Sequence, residues 1–429
     1  MTTLLADLPR RYTAGERTGI TSVCSAHPMV IEAALRLGAE DGAPVLIEAT
    51  CNQVNQDGGY TGMTPAAFRS FVEAIADRTG FPRDRLILGG DHLGPNPWKH
   101  LPADDALARA RAMVDAYARA GFTKIHLDTS MGCAGEPAAL PDTLTAERAA
   151  DLAAVAEAAA DQPLIYVIGT EVPIPGGATE ALDHLTVTSP EAAIETVAVH
   201  RRAFAARDLD AAFARAIAAV VQPGVEFGND SVAVYNPDAA RDLSGALASI
   251  PGFVFEAHST DYQPPVALAA LVRDGFAILK VGPALTFALR EALYGLDHIA
   301  TALDGERPVL QESMEGVMTA NPVHWQRYLR GGPADLRRER HFGYSDRIRY
   351  YWPEPPAQAA VDRLLARLHG RHIPETLVSQ YLGALYPEVT SGHIRPQARE
   401  LAIAAIQRVL KQYRYAEKPL PGAPIESQW

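Results

Sequence analysis

Along the chain, short runs of apolar and β-branched residues alternate with longer Ala/Leu-rich stretches whose apolar positions recur at helical spacing. The short runs predict strands over residues 19–27, 44–50, 86–92, 124–130, 165–172, 219–224, 253–259 and 277–283. Between them the pattern predicts helices over 29–40, 65–79, 104–120, 145–160, 190–206, 237–248, 265–273 and 284–298. Several of these open on Pro, Ser, Thr or Asp, as helix N-termini prefer. Strands separated by helices of this length imply parallel βαβ units, and eight of them match a closed (β/α)8 TIM barrel of about 250 residues. An open doubly wound sheet is the competing arrangement. Two observations count against it. No G-x-G-x-x-G or G-x-x-x-x-G-K-[ST] follows a strand, and the polar strand ends are spread over all the units instead of gathering at one switch point.

Beyond about Pro308 the rhythm changes. Helices are predicted over 311–320, 322–330, 358–369, 374–381 and 397–415, joined by Pro/Gly-rich turns. The expected organisation is therefore a barrel over 1–305 and a C-terminal helical extension, 306–429, packed on it. Residues 417–429, with three prolines, read as an extended tail.

A length of 429 residues suits one large barrel plus an appendage, and 48% hydrophobic with 21% charged residues excludes wholesale disorder. The net charge of −12 is spread along the chain and argues against nucleic-acid binding. Three cysteines, Cys24, Cys51 and Cys133, without a CxxC pair read as reduced thiols of a cytoplasmic protein, Cys51 and Cys133 serving as small hydrophobes. Residues 1–17 lack the apolar core of a secretory signal, and no apolar run approaches the ~20 residues that span a bilayer. No membrane association is expected.

Strands of a parallel barrel are buried on both faces and should turn polar only where they emerge at the C-terminal rim. Val45-Leu46-Ile47 gives way to Glu48, Thr50, Asn52 and Asn55, and Leu86-Ile87-Leu88 leads to Asp91 and His92. A period of two puts His126, Asp128 and Ser130 on one side of their strand, and Glu256 and His258 on one side of theirs. Buried charges must be paired or hold a metal, so the recurrence of acids and histidines at strand after strand points to a polar rim site. Glu171 ends the fifth strand in a rigid Pro/Gly turn, and Glu226 follows the sixth. After the eighth, Lys280-Val281-Gly282-Pro283 opens a helix whose free N–H groups could bind an anion, or form an ordinary βα turn.

The motifs Cys24-Ser25-Ala26-His27-Pro28, Asn52-Gln53-Val54-Asn55-Gln56, Gly58-Gly59-Tyr60-Thr61-Gly62-Met63 and Gly89-Gly90-Asp91-His92-Leu93-Gly94-Pro95-Asn96 make a family recognisable. The chain closely resembles the Z subunit of class II D-tagatose-1,6-bisphosphate aldolase over nearly its whole length. The resemblance implies a barrel related to the class II aldolases, with zinc held by histidines. It implies Asp91 as acid/base, His92 and His258 as metal ligands, and Glu171 as a second acid. Two departures stand out. Where the aldolase offers another ligand histidine after the sixth strand this chain has Gln222-Pro223-Gly224-Val225-Glu226, making Glu226 the candidate replacement, and Gly282 stands where the aldolase phosphate motif has Asn, which leaves bisphosphate binding an open question.

Two functions follow from the resemblance. The first is a metal-dependent ketose or ketose-phosphate 4-epimerase working by retro-aldol chemistry, with zinc, or manganese, on His92, Glu226 and His258. Carbon 4 is not adjacent to the C2 carbonyl, so enolisation cannot invert it, whereas breaking and remaking the C3–C4 bond can. Asp91 or Glu171 would move the hydroxyl proton, and His126, Asp128 and Glu256 would orient ligands and sugar hydroxyls. Asn52, Asn55, Ser130 and Lys280 are further candidates for substrate hydrogen bonds, and Arg347 and Arg349 could reach a distal phosphate or equally form surface salt bridges. The second is an accessory subunit that supports a separate catalytic aldolase Y subunit. A homo-oligomer is expected in either case.

Overall fold

The computed structural model describes residues 2–170 and 185–417. Among them the strands are β1 (Ile20–Cys24), β2 (Val45–Thr50), β3 (Leu86–Leu93), β4 (Lys124–Leu127), β5 (Ile165–Ile168), β6 (Ala216–Val221), β7 (Glu226–Phe227), β8 (Val232–Ala233), β9 (Val254–Ala257) and β10 (Phe276–Val281). Eight of these close a parallel barrel in the order β1-β10-β9-β6-β5-β4-β3-β2, and β7 pairs with β8 in a small antiparallel ribbon. This is the (β/α)8 architecture expected from the alternation of strand and helix. The sixth barrel strand begins three residues earlier than its apolar run suggested, at Ala216.

The helices are α1 (Thr2–Thr13), α2 (Pro28–Asp41), α3 (Pro65–Thr79), α4 (Ala103–Arg119), α5 (Asp142–Ala159), α6 (Pro190–Ala205), α7 (Asp210–Phe213), α8 (Arg241–Gly245), α9 (Pro265–Arg273) and α10 (Pro283–Asp304). Local chemistry sets their ends. Thr64 accepts from Ala67 N ahead of Pro65, and Ser189 accepts from Ala192 N ahead of Pro190. The charged segment at the N-terminus, for which the pattern predicted no element, is helix α1. Its Leu5 and Leu8 are buried against Ile20, Leu46, Ile87, Ile165, Ile217, Val254 and Ile278, closing the N-terminal end of the barrel.

The C-terminal part folds as α11 (Leu310–Ala320), α12 (Pro333–Phe342), α13 (Pro355–Arg367), α14 (Glu375–Tyr381), α15 (Tyr386–Thr390) and α16 (Ala398–Glu417). One apolar cluster runs from the barrel strands through α2, α9 and α10 into Leu401, Ile406 and Leu410 of α16. Two expectations are corrected. Residues 322–330 form only a short 3₁₀ turn over Pro322–His324, because Trp325 leaves helical geometry at φ −125°, with its indole N–H donating to Met318 O at 2.7 Å. Glu417 is not part of an extended tail but ends α16, where its carboxylate accepts from Thr21 N at 2.8 Å and Thr21 Oγ1 at 2.6 Å. The remainder of that segment, 418–429, lies outside the described residues.

Candidate active site

The site starts inside the barrel, below the rim. Lys124, the first residue of β4, is fully buried and pairs with Glu48 Oε1 at 2.6 Å and Glu256 Oε2 at 2.8 Å. Gly89 stands between β2 and β4 in register with both Glu48 and Lys124. A Cβ there would come within 2.5 Å of Glu48 Oε1, so only glycine leaves room for this pair. Burial opposes charge on Lys124, yet the two carboxylates outweigh it and hold the ammonium above its ordinary range. Ser22 Oγ donates to the other Glu48 oxygen at 2.5 Å. Glu256 in turn lies 2.9 Å from His258 Nε2, which carries the network up to the rim.

Above this layer, three imidazoles face one another. Ring centroids are 4.8 Å apart for His92 and His258, 4.9 Å for His92 and His126, and 5.3 Å for His126 and His258. One donor atom from each of Asp91, His92, His126 and His258 lies within 4.8 Å of the other three. The backbone is bent to achieve this, with His92 at φ 48° and Ser259 at φ 50°, left-handed conformations that a non-glycine residue adopts only at a cost.

The four donors are not equivalent. His126 Nε2 lies 2.9 Å from Gly169 O and its Nδ1 lies 2.9 Å from Asp91 Oδ1, so both ring nitrogens are committed. Burial works against charge on His126, but Asp91 raises it above its ordinary range. Asp91 is ion-paired with Lys280 as well. Burial disfavours its ionisation, but the surrounding imidazoles and the Lys280 ammonium more than reverse this and hold it well below the usual carboxylate range. His92 differs. Its Nδ1 lies 2.8 Å from Asp128 Oδ2, burial lowers its basicity, and Nε2 is buried without a hydrogen-bond partner. With Asp128 held ionised, Nδ1 carries the proton and Nε2 presents a lone pair to the cluster. A carboxylate fixing the tautomer of an imidazole in this way is the usual support of a metal ligand. The donor set fits a divalent cation.

The other expected residues are distributed around this centre. Asp128 also accepts from Ser130 Oγ at 2.8 Å, so both residues serve His92. Asn55 braces its own loop, accepting from the N–H groups of Asp57 and Gly59 and donating to Cys51 O, while Asn52 is exposed. Arg349 is anchored on Ser345 O, Asp346 O and Tyr350 Oη, and the buried Arg347 stacks 3.4 Å above the Tyr328 ring. Tyr350 meets Tyr60, from the loop after β2, at 4.9 Å, which brings this segment over the barrel mouth. Glu226 does not share a donor cluster with His92 and His258. Its carboxylate accepts from Phe227 N at 2.9 Å and Ser259 Oγ at 3.3 Å, one residue beyond His258, and burial raises it to about 7. Glu171 lies outside the described residues.

Two residues were missed. Lys124 sits at the start of its run, where a charge reads as a strand end, and extending the period of two back from His126 would have found it. Asp261 carries no signal in the sequence, yet its Oδ1 accepts from Gly282 N at 3.0 Å and Ala284 N at 2.8 Å, across the start of α10. A Cβ on Gly282 would stand 3.0 Å from Cys24 O, leaving little space for the Asn of the aldolase motif.

Comparison with known proteins supports this reading of the fold. A solved structure described as a probable tagatose 6 phosphate kinase from Sinorhizobium meliloti 1021 superposes with a TM-score of 0.88 at 60% identity, covering 93% of this chain and all of that one. A D-tagatose 6-phosphate 4-epimerase of Agrobacterium fabrum is 56% identical over 424 residues, which is 97% of this chain and 99% of that protein. The model of the D-tagatose-1,6-bisphosphate aldolase subunit GatZ/KbaZ-like family matches residues 5–418. With that span matched, the chain belongs to the GatZ/KbaZ-like family.

Proposed function

We propose that the chain is a metal-dependent ketose 6-phosphate 4-epimerase that inverts carbon 4 by retro-aldol cleavage and re-addition. The observation that carries this is the lone pair of His92 Nε2, buried and unbonded at the centre of an acid and imidazole cluster. A relative 56% identical across the chain bears the name of that activity. His92, His258 and Asp91 would hold the cation, and this mixed His/carboxylate set suits zinc and also manganese. When bound, the cation supplies Lewis acidity at the C2 carbonyl.

The rest falls to the protein. A base takes the C4 hydroxyl proton as the C3–C4 bond breaks, and its electron pair moves onto the enediolate formed by C3, C2 and the C2 oxygen. The aldehyde turns its other face, the bond re-forms, and the same group returns the proton. Glu226, raised to about 7, is better matched to this exchange than Asp91, which is locked as a carboxylate by Lys280 and His126. Lys280 and Lys124 offset the buried carboxylates, and Arg349 and Arg347 take the distal phosphate. No G-x-x-x-x-G-K-[ST] loop follows any strand, so phosphoryl transfer from a nucleotide has no support in the residues.

The test is interconversion of tagatose 6-phosphate and fructose 6-phosphate by the purified chain with zinc or manganese. Activity is expected from the chain alone and should fall about 10–100-fold in His258→Ala. Undiminished turnover in that variant would refute the reading. Turnover that appears only on adding an aldolase subunit would replace it with the accessory role.

A further inference from the structure

In (β/α)8 barrels the loops after the seventh and eighth strands, with a helix N-terminus beside them, frequently form a phosphate site. Here those loops follow β9 and β10, and the helix is α10. The free N–H groups of Gly282 and Ala284 are already taken, by the carboxylate of Asp261 from the loop after β9. Asp261 is 3% exposed. It is therefore a built part of the wall and not a surface side chain that swings aside. On the other side of the same turn a Cβ at position 282 would stand 3.0 Å from Cys24 O, so there is little room there for a larger residue. An acid in this place does two things to an incoming phosphate. It fills the position the phosphate oxygens would occupy, and it sets a negative charge against them where a phosphate needs donors.

We infer that Asp261 is a specificity-determining residue that excludes a phosphate from this end of the substrate and so selects ketose monophosphates over bisphosphates. The inference rests on the proposed reaction and deepens it. A ketose 6-phosphate has one phosphate and, at its other terminus, a neutral C1 hydroxyl. The hydroxyl can donate to a carboxylate, whereas a C1 phosphate meets its charge. The single phosphate is then left to the guanidinium groups of Arg349 and Arg347.

The experiment is calorimetric titration of the intact chain with fructose 6-phosphate, fructose 1,6-bisphosphate and inorganic phosphate. Wild type is expected to bind the monophosphate at least about tenfold more tightly than the bisphosphate. Asp261→Ala frees the two N–H groups and should raise bisphosphate affinity at least tenfold relative to monophosphate. Asp261→Ser, which keeps a small polar group in the turn, tests the same gain should the alanine variant not fold. Asp261→Asn retains an acceptor on the N–H groups and is expected to recover less of the gain than alanine. Equal affinity of wild type for the two sugars would overturn the inference. So would a folded alanine or serine variant whose preference is unchanged, or an asparagine variant that gains as much as alanine. Because binding is read directly, these outcomes stand apart from whether the chain turns over tagatose 6-phosphate.

Discussion

Lys124 shows how much a single buried charge can organise. It is the counter-ion of both Glu48 and Glu256, and through Glu256 it bears on His258. Removing one partner of a buried ion pair costs about 3–5 kcal/mol because the other is left uncompensated. Lys124→Met is accordingly expected to lower stability by at least that amount, read from the shift in urea midpoint at constant slope. A variant as stable as wild type would show that the two glutamates do not depend on it. At this scale the sequence was only half legible. Period-two alternation exposed His126, Asp128, Glu256 and His258, because side-chain direction along a strand is local. It did not show that Lys124 joins β2 to β9, or that Asp261 reaches across to α10, since those pairings exist only once the barrel closes.

Among the elements, barrel strands and their helices were the most readable. Prolines at helix starts and apolar runs of fixed length are local devices, and α3 and α9 occupy the predicted residues. Helix α1 was not foreseen. Its apolar stripe is short and set among charges, and it gains its partners only from the inward residues at the barrel's N-terminal end. Leu5 is wholly buried there. Leu5→Ala should cost about 2–5 kcal/mol, as for other buried leucines. Thermal melting checks this, and an unchanged midpoint would mean that the barrel floor does not depend on α1.

For the molecule as a whole, several histidines far apart from one another are held neutral in the fold, His200 and His341 buried and His27 half-buried. Burial pushes His27, His200 and His341 down to about 4, with Arg399 adding to the effect at His27 and Glu315 partly offsetting it at His341. Unfolded histidine titrates near 6.5, so the unfolded chain takes up these protons first. The stability they contribute is complete above about pH 6.5 and is lost as pH falls toward 4. Each contributes on the order of 3 kcal/mol over that window. His200, whose Nδ1 donates to Thr196 O at 2.8 Å, lies away from the imidazole cluster and isolates the effect. Denaturation of His200→Leu from pH 7 to 4.5 should show a shallower loss than wild type. Parallel curves would remove this histidine from the account.

The sealed floor has a consequence for a reaction that splits its substrate in two. Leu5 and Leu8 cap an interior already filled with side chains, so fragments of the proposed cleavage leave by the doorway through which the sugar came. If the arginines at that doorway keep the phosphorylated half tethered, recombination wins its race against escape. The same cleavage then ends in an inverted sugar instead of two smaller ones.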